Sequence, residues 1–270
     1  MKLTDLIFPK NLYCVSCGRP LPLQEEGAAA LCDFCAAEMT WIEGRCCLRC
    51  GRQLSDENPH TLCRDCGAGE DRPFTKGSAC ALYSGRAAEL VRDMKYREKA
   101  WYADTISAFM AEKYFSSADP ETGELPHYDC VIGVPMSEKK KASRGYDQAA
   151  LIAKGLSLRI GVPYLPGALT RVRETNVMSG LSAEERGQNL ANAFSIGCDK
   201  IESIAAKKIL LADDVYTTGS SVSACAGALL AAGAARVDVI VFAIGADARR
   251  AEGRPAVVES PGQLRAKGPT

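Results

Sequence analysis

Four Cys-x-x-Cys pairs crowd the start of the chain: Cys14/Cys17, Cys32/Cys35, Cys47/Cys50 and Cys63/Cys66. They form two copies of one unit. CVSCGRPL is echoed by CLRCGRQL thirty-three residues later, and LCDFC by LCRDC after thirty-one. Two thiolates on one tight turn supply half of the tetrahedral set that zinc takes, so two pairs close a structural site. Gly18 and Gly51 follow the first pair of each unit, where a tight turn favours a residue without a Cβ. A disulfide framework is the rival reading, but it needs a secretory route. The start, MKLTDLIFPK, carries an acid and no long apolar region, and does not read as a signal peptide. Sharing within each unit fits the repeat best: Cys14, Cys17, Cys32 and Cys35 on one ion, Cys47, Cys50, Cys63 and Cys66 on the other. Interleaved sharing stays open, and Cys46 stands beside Cys47 as a substitute ligand.

Zinc ribbons often grip nucleic acid, so charge decides what this one is for. From Met1 to Thr75 there are 8 Lys/Arg against 11 Asp/Glu, which disfavours backbone binding by clustered cations. A scaffold for packing or for docking a protein is the better expectation. The whole chain balances 33 basic against 33 acidic residues, so no global field draws it to nucleic acid or to a membrane surface. No apolar run approaches the roughly 20 residues of a membrane span, and a cytoplasmic location is expected. Cys80, Cys130 and Cys225 lie in apolar surroundings and read as small core residues. His60 and His127 lie in polar, Pro-flanked loops, which argues against a Cys/His dyad.

Beyond the ribbons, helical and strand patterns alternate. GSACALYSG (77–85), DCVIGVP (129–135), KKILLADD and RVDVIVFAIG read as strands. Two helical pieces follow the first of these, with Leu90, Val91 and Met94 on one face, then Trp101, Phe109 and Met110. Lys95, Arg97 and Lys99 between them read as a solvated face. KKASRGYDQAALIAKGLSLRIG reads as a helix, and so does SVSACAGALLAAGA. This order predicts an open α/β sheet with parallel pairing. The expected division is a ribbon domain over 1–75, an α/β domain over 76–247, and a disordered tail over 248–270 rich in Gly, Pro and charge.

In such a sheet, ligands sit at the carboxyl ends of strands, where Asp213 and Asp214 fall. Thr217-Thr218-Gly219-Ser220-Ser221 then opens a helix whose free N–H groups and dipole favour a phosphate. Two carboxylates beside a bound 5′-phosphate are placed to accept hydrogen bonds from ribose 2′- and 3′-hydroxyls. The plainer alternative is a pair of solvated loop acids followed by a Thr217 or Ser220 helix cap.

ILLADDVYTTGSS resembles the phosphoribosyl pyrophosphate (PRPP) motif of type I phosphoribosyltransferases. With the Cys-x-x-Cys repeat, VPMSEKKKASRGYDQ (134–148) and LTRVRETNVMSGLSAEERGQNLANAF (169–194), the chain resembles the ComF family from about Leu6 to Ile244. That resemblance implies an open parallel-sheet type I phosphoribosyltransferase fold behind a double zinc ribbon, with two structural Zn²⁺ ions and Mg²⁺ entering with PRPP. It implies PRPP contacts from Asp213, Asp214, Val215, Thr217, Thr218, Gly219, Ser220, Ser221, Pro135, Lys139 and Arg144, with Lys140 and Lys141 nearby. Catalytic roles fall to Asp213, Asp214, Arg144 and Arg173. The segment from Arg171 to Asn189 is the implied hood, contributing Arg171, Arg173, Thr175 and Arg186. The chain departs from the family pattern at Met178, where Gln is usual, and at Asp147, where Asn is usual. The implied chemistry is attack of a nitrogen nucleophile on C1′ as pyrophosphate leaves, driven by positioning and charge neutralisation. No base-recognition pattern names the acceptor. A PRPP or nucleotide sensor without turnover is a second implied role. A third is handling of single-stranded DNA, with a competence-machinery partner, through the basic lip of the same cleft.

Overall fold

The computed structural model describes residues 12–22, 27–68, 72–172 and 193–246. Arg173, Thr175, Met178, Arg186 and the tail from Ala248 lie outside these. Each ribbon carries a short helix on its second Cys pair, α1 (Asp33–Ala37) and α2 (Arg64–Gly67). There follow β1 (Gly77–Leu82), α3 (Gly85–Tyr96), α4 (Tyr102–Phe115), β2 (Cys130–Gly133), α5 (Glu138–Arg144) and α6 (Gln148–Ile160). A second run comprises β3 (Leu169–Arg171), β4 (Phe194–Ile196), α7 (Ile201–Ile204), β5 (Lys208–Tyr216), α8 (Ser220–Ala231) and β6 (Arg236–Ile244).

Four strands pair in the order β1-β6-β5-β2, all parallel. Parallel neighbours cannot be joined by a tight turn, and α8 supplies the crossover from β5 to β6. The two interior strands are nearly continuous in apolar residues because both of their faces are covered. Alternate residues divide between two cores. Leu210, Ala212, Ile240 and Phe242 pack under Leu90 and Met94 of α3, Ile106 and Met110 of α4, and Ile152 and Leu156 of α6. Ile209, Leu211, Val239 and Val241 face the opposite way, onto Val222, Cys225 and Leu229 of α8. Cys80, Cys130 and Cys225 are all buried, as expected of small core residues.

The ribbons straddle the sheet rather than stand beside it. Cys14, Leu21, Leu31, Cys35 and Met39 join the first core, while Ile42, Cys47, Cys50, Leu54 and Cys63 join the second. The chain between the ribbons pairs with the free edge of β1. Ile42 N–H donates to Cys80 O at 2.8 Å, Leu82 N–H donates to Thr40 O at 2.8 Å, and Trp41 bridges Ala81 antiparallel. An edge that would otherwise invite another strand is thereby covered. At the second ribbon, Gly51 has φ +75°, and a Cβ there would sit 2.5 Å from Gly77 O. Only glycine allows the knuckle to touch the start of β1 so closely.

Two elements differ from the expectation. The single helix read over 140–161 is broken at Gly145, whose φ of 81° ends α5 by closing onto Lys141 O. Strand β5 runs through both acids to Tyr216, because its register with β6 continues through Asp213↔Val241 and Val215↔Ala243. The acids therefore belong to a strand end inside the sheet, not to a solvated loop.

Candidate functional site

The eight ribbon cysteines form two groups, Cys14, Cys17, Cys32, Cys35 and Cys47, Cys50, Cys63, Cys66, with the ligand atoms of each group within 4.8 Å of one another. Sharing is sequential, so interleaving is ruled out. Cys46 lies outside the second group, its thiol 3.6 Å from Gly44 O. Thiols packed this tightly divide their protons unevenly. Burial pushes Cys14 up, but backbone N–H groups of Cys32, Cys17 and Ser16 more than offset it, leaving it at about 6. Burial, with the Cys17 and Cys32 sulfurs, pushes Cys35 up to about 12. In the second ribbon the neighbouring sulfurs of Cys50 and Cys63 drive Cys47 far down, while Cys47 and Cys63 drive Cys50 far up. Four convergent sulfurs with so few places for protons are the donor set of structural Zn²⁺.

The second centre lies at the carboxyl end of β5. Alternation along the strand leaves Asp213 half-buried, while Asp214 is only 2% exposed. Lys95, at the end of α3, reaches Asp214 Oδ1 at 2.8 Å. Desolvation pulls the Lys95 ammonium down, but the Asp214 charge outweighs it and holds Lys95 above its ordinary value. Asp214 Oδ2 is buried with no hydrogen-bond partner among the described residues. Asp213 Oδ1 accepts from Asp214 N–H at 2.8 Å. Desolvation, and then the Asp214 charge, push the Asp213 carboxyl well above the usual carboxylate range.

Past Tyr216 the chain turns through Thr217 and Thr218, both exposed, to Gly219, which takes φ +80° and forms the N-cap of α8. No side chain caps this helix, so neither Thr217 nor Ser220 plays that part. Thr218 Oγ1 and Ser220 Oγ instead lie 2.8 Å apart on the exposed rim, and Ser221 is half-buried behind them. An uncapped, twelve-residue helix with hydroxyls at its start, one strand residue or two from two carboxylates, suits a phosphorylated sugar better than it suits packing. Val215 points back into the first core and offers only its backbone.

The β2–α5 connection lies against the same corner. Pro135 is half-buried, and Lys139, Lys140 and Lys141 are exposed on α5 behind the N-cap Ser137. Arg144 donates to Gln148 Oε1 and sits 5.8 Å from the centre of the Tyr96 ring. Tyr146 donates to Met94 O, which ties this turn to the residue before Lys95. Asp147 caps α6 by accepting from Ala150 N–H at 3.0 Å, a task that Asn performs as well, and its charge adds to the upward push on Asp213. Arg171 lies 5.4 Å from the Phe194 ring centre, where β3 and β4 pair and bring the two ends of the implied hood together.

Three basic residues were not legible as site residues. Lys95 reads from its neighbours as a solvated face, yet it neutralises Asp214 from 119 positions away. Arg52 and Arg72 donate to Thr217 O at 3.0 Å and Thr218 O at 2.8 Å. No local pattern announces contacts across such separations.

Residues 3–83 match the double zinc ribbon domain model. Competence protein F of Haemophilus influenzae is 29% identical over 214 residues, covering 79% of this chain and 88% of that protein. DNA utilization protein YhgH of Escherichia coli is 28% identical over 226 residues, covering 84% and 94%. Competence protein ComFC of Bacillus subtilis is 27% identical over 210 residues, covering 76% and 80%. The chain belongs to the ComF family. Its parallel sheet, Asp-Asp strand end and double ribbon make up the type I phosphoribosyltransferase fold with an N-terminal zinc module. Among solved structures, the glutamine PRPP amidotransferase of B. subtilis, complexed with ADP and GMP, is 21% identical with a TM-score of 0.35. That alignment covers 53% of this ComF-family chain and about a quarter (26%) of the amidotransferase. Among the described residues, no helix is long and apolar enough to cross a membrane.

Proposed function

We propose that this protein binds PRPP or a closely related sugar phosphate at the carboxyl end of β5. The observation that carries this reading is the pairing of an uncapped α8 N-terminus with one half-buried and one buried carboxylate on the strand before it. The 5′-phosphate lies in the Thr217–Ser221 turn, taking the Gly219 backbone and the Thr218 and Ser220 hydroxyls. Asp213 and Asp214 accept from the ribose hydroxyls, and the unpartnered Asp214 Oδ2 has a donor to gain. Lys95 compensates the charge of Asp214, so two adjacent acids can persist in the sheet. Lys139 and Arg144 approach the diphosphate from α5, and Arg173 closes from the hood. The same acids fit Mg²⁺, which when bound to PRPP would neutralise pyrophosphate oxygens and favour their departure. The reaction class is transfer of phosphoribose to a nitrogen acceptor; ligand sensing without transfer uses the same contacts.

Calorimetric titration of PRPP with Mg²⁺ tests this directly. Binding by the parent, and none by a folded, zinc-loaded Asp213→Ala/Asp214→Ala variant, supports the site. No binding by the folded parent overturns it. Pyrophosphate release against a panel of nitrogen bases then separates transfer from sensing.

A second reading follows from the relatives' names, which speak of competence and DNA utilization. It is favoured by Tyr96, which is 76% exposed beside Arg144 and the α5 lysines and offers a base a stacking face within a basic lip. If single-stranded DNA binds there, its affinity falls steeply with added salt.

A further inference from the structure

The structure assigns Arg52 and Arg72 as positioning residues through which the second zinc site sets the orientation of the Thr217–Gly219 backbone. The inference rests on the ligand reading above for its consequence, but its geometry is independent of any ligand. Arg52 belongs to the first knuckle of the second ribbon, and its own carbonyl accepts from Cys47 N–H at 2.8 Å. Its Nη1 bonds Asp65 Oδ2 at 2.5 Å, and Asp65 lies between Cys63 and Cys66 on the second knuckle. This ion pair therefore spans the four ligands of one zinc site. The other fork of the same guanidinium, Nη2, donates to Thr217 O at 3.0 Å. Arg72, from the segment after the ribbon, donates through Nη1 to Thr218 O at 2.8 Å while lying 5.6 Å from the centre of the Tyr216 ring. Both arginines are buried, at 3% and 7% exposure, so water competes little for these bonds.

A trans peptide is planar, so its N–H points opposite to its carbonyl. Holding Thr217 O and Thr218 O toward the ribbon therefore turns the N–H groups of Thr218 and Gly219 to the other, exposed side. Those are donors that an anion at the α8 N-terminus would use. The planar, rigid fork suits arginine to this task, since one side chain can hold a carboxylate and a carbonyl at fixed angles. Zinc acts at a distance: it holds the two knuckles, the knuckles hold the Arg52–Asp65 pair, and Arg52 holds the cradle.

The test compares the zinc-loaded full chain with Arg52→Met, Arg52→Lys and Arg72→Met. Zinc content is measured by release with a mercurial, loop order by amide hydrogen exchange of peptides covering 214–223, and affinity by titration of PRPP with Mg²⁺. Arg52→Met is expected to keep its zinc and to exchange faster in that peptide while α4 and the first ribbon stay protected. Its affinity should fall about tenfold, the scale of one lost charge-assisted bond, with partial recovery in Arg52→Lys. Unchanged loop exchange in zinc-loaded Arg52→Met and Arg72→Met overturns the inference. If Arg52→Met loses zinc or loosens throughout, Arg72→Met decides, because it leaves the Asp65 tie intact. Faster loop exchange in a protein whose parent ignores PRPP leaves the positioning role standing and removes the ligand reading instead.

Discussion

Asp213 is the residue whose environment departs furthest from what its type prefers. Desolvation and the adjacent Asp214 charge both favour its protonated form in the ligand-free protein. The sign of the consequence follows from linkage. A carboxyl with a raised folded pKa contributes stability that is full below the ordinary carboxylate range and is lost as pH rises through the raised value. Asp213→Asn removes that loss and keeps an acceptor for Asp214 N–H. At neutral pH the variant should melt roughly 2–4 °C above the parent for each kcal/mol recovered, with the gap closing in acid. The stabilisation that PRPP with Mg²⁺ gives the parent should be missing from the variant. Thermal melts over a pH series, with and without ligand, check both parts; equal neutral-pH melting would mean that Asp213 is not strained. Such a residue is one that packing alone would replace.

Among the elements, the turn from β5 into α8 depends on one backbone conformation. Gly219 holds φ +80°, and a Cβ there would press on both the Tyr216 hydroxyl and Arg72 Nη1. Gly219→Ala meets a conformational penalty of about 1–3 kcal/mol and has to displace an arginine that positions the turn. The expected outcome is a lower denaturation midpoint together with loss of PRPP affinity, read by chemical unfolding and calorimetry. A variant that keeps the parent affinity would show that the backbone at Gly219 takes no part in binding.

At the scale of the molecule, the ribbons are part of the fold that carries the site. Their residues enter both cores, and the link between them pairs with the β1 edge. Stripping zinc should therefore lower the melting temperature of the whole protein in a single transition, with loss of the near-ultraviolet signal from Trp41, which packs 4.9 Å from Phe109. Two separate transitions, with the larger one unmoved by chelation, would show instead that the ribbons fold independently.

The sequence by itself determined what depends on neighbours along the chain. Cys-x-x-Cys spacing names a zinc knuckle because ligand reach is set by one tight turn. The apolar runs of β5 and β6 name buried parallel strands because both faces must be covered, and Asp-Asp followed by Thr-Thr-Gly marks a strand end entering a helix. Even the Cys225 core assignment needed only its Ala-rich surroundings. Only the tertiary structure decided which cysteines converge, that Asp214 meets Lys95, and that Arg52 and Arg72 hold the cradle's carbonyls. Those pairings join residues between 119 and 165 positions apart. A buried lysine or arginine looks in sequence like any exposed one, because what distinguishes it is the charge or carbonyl that folding brings to its side.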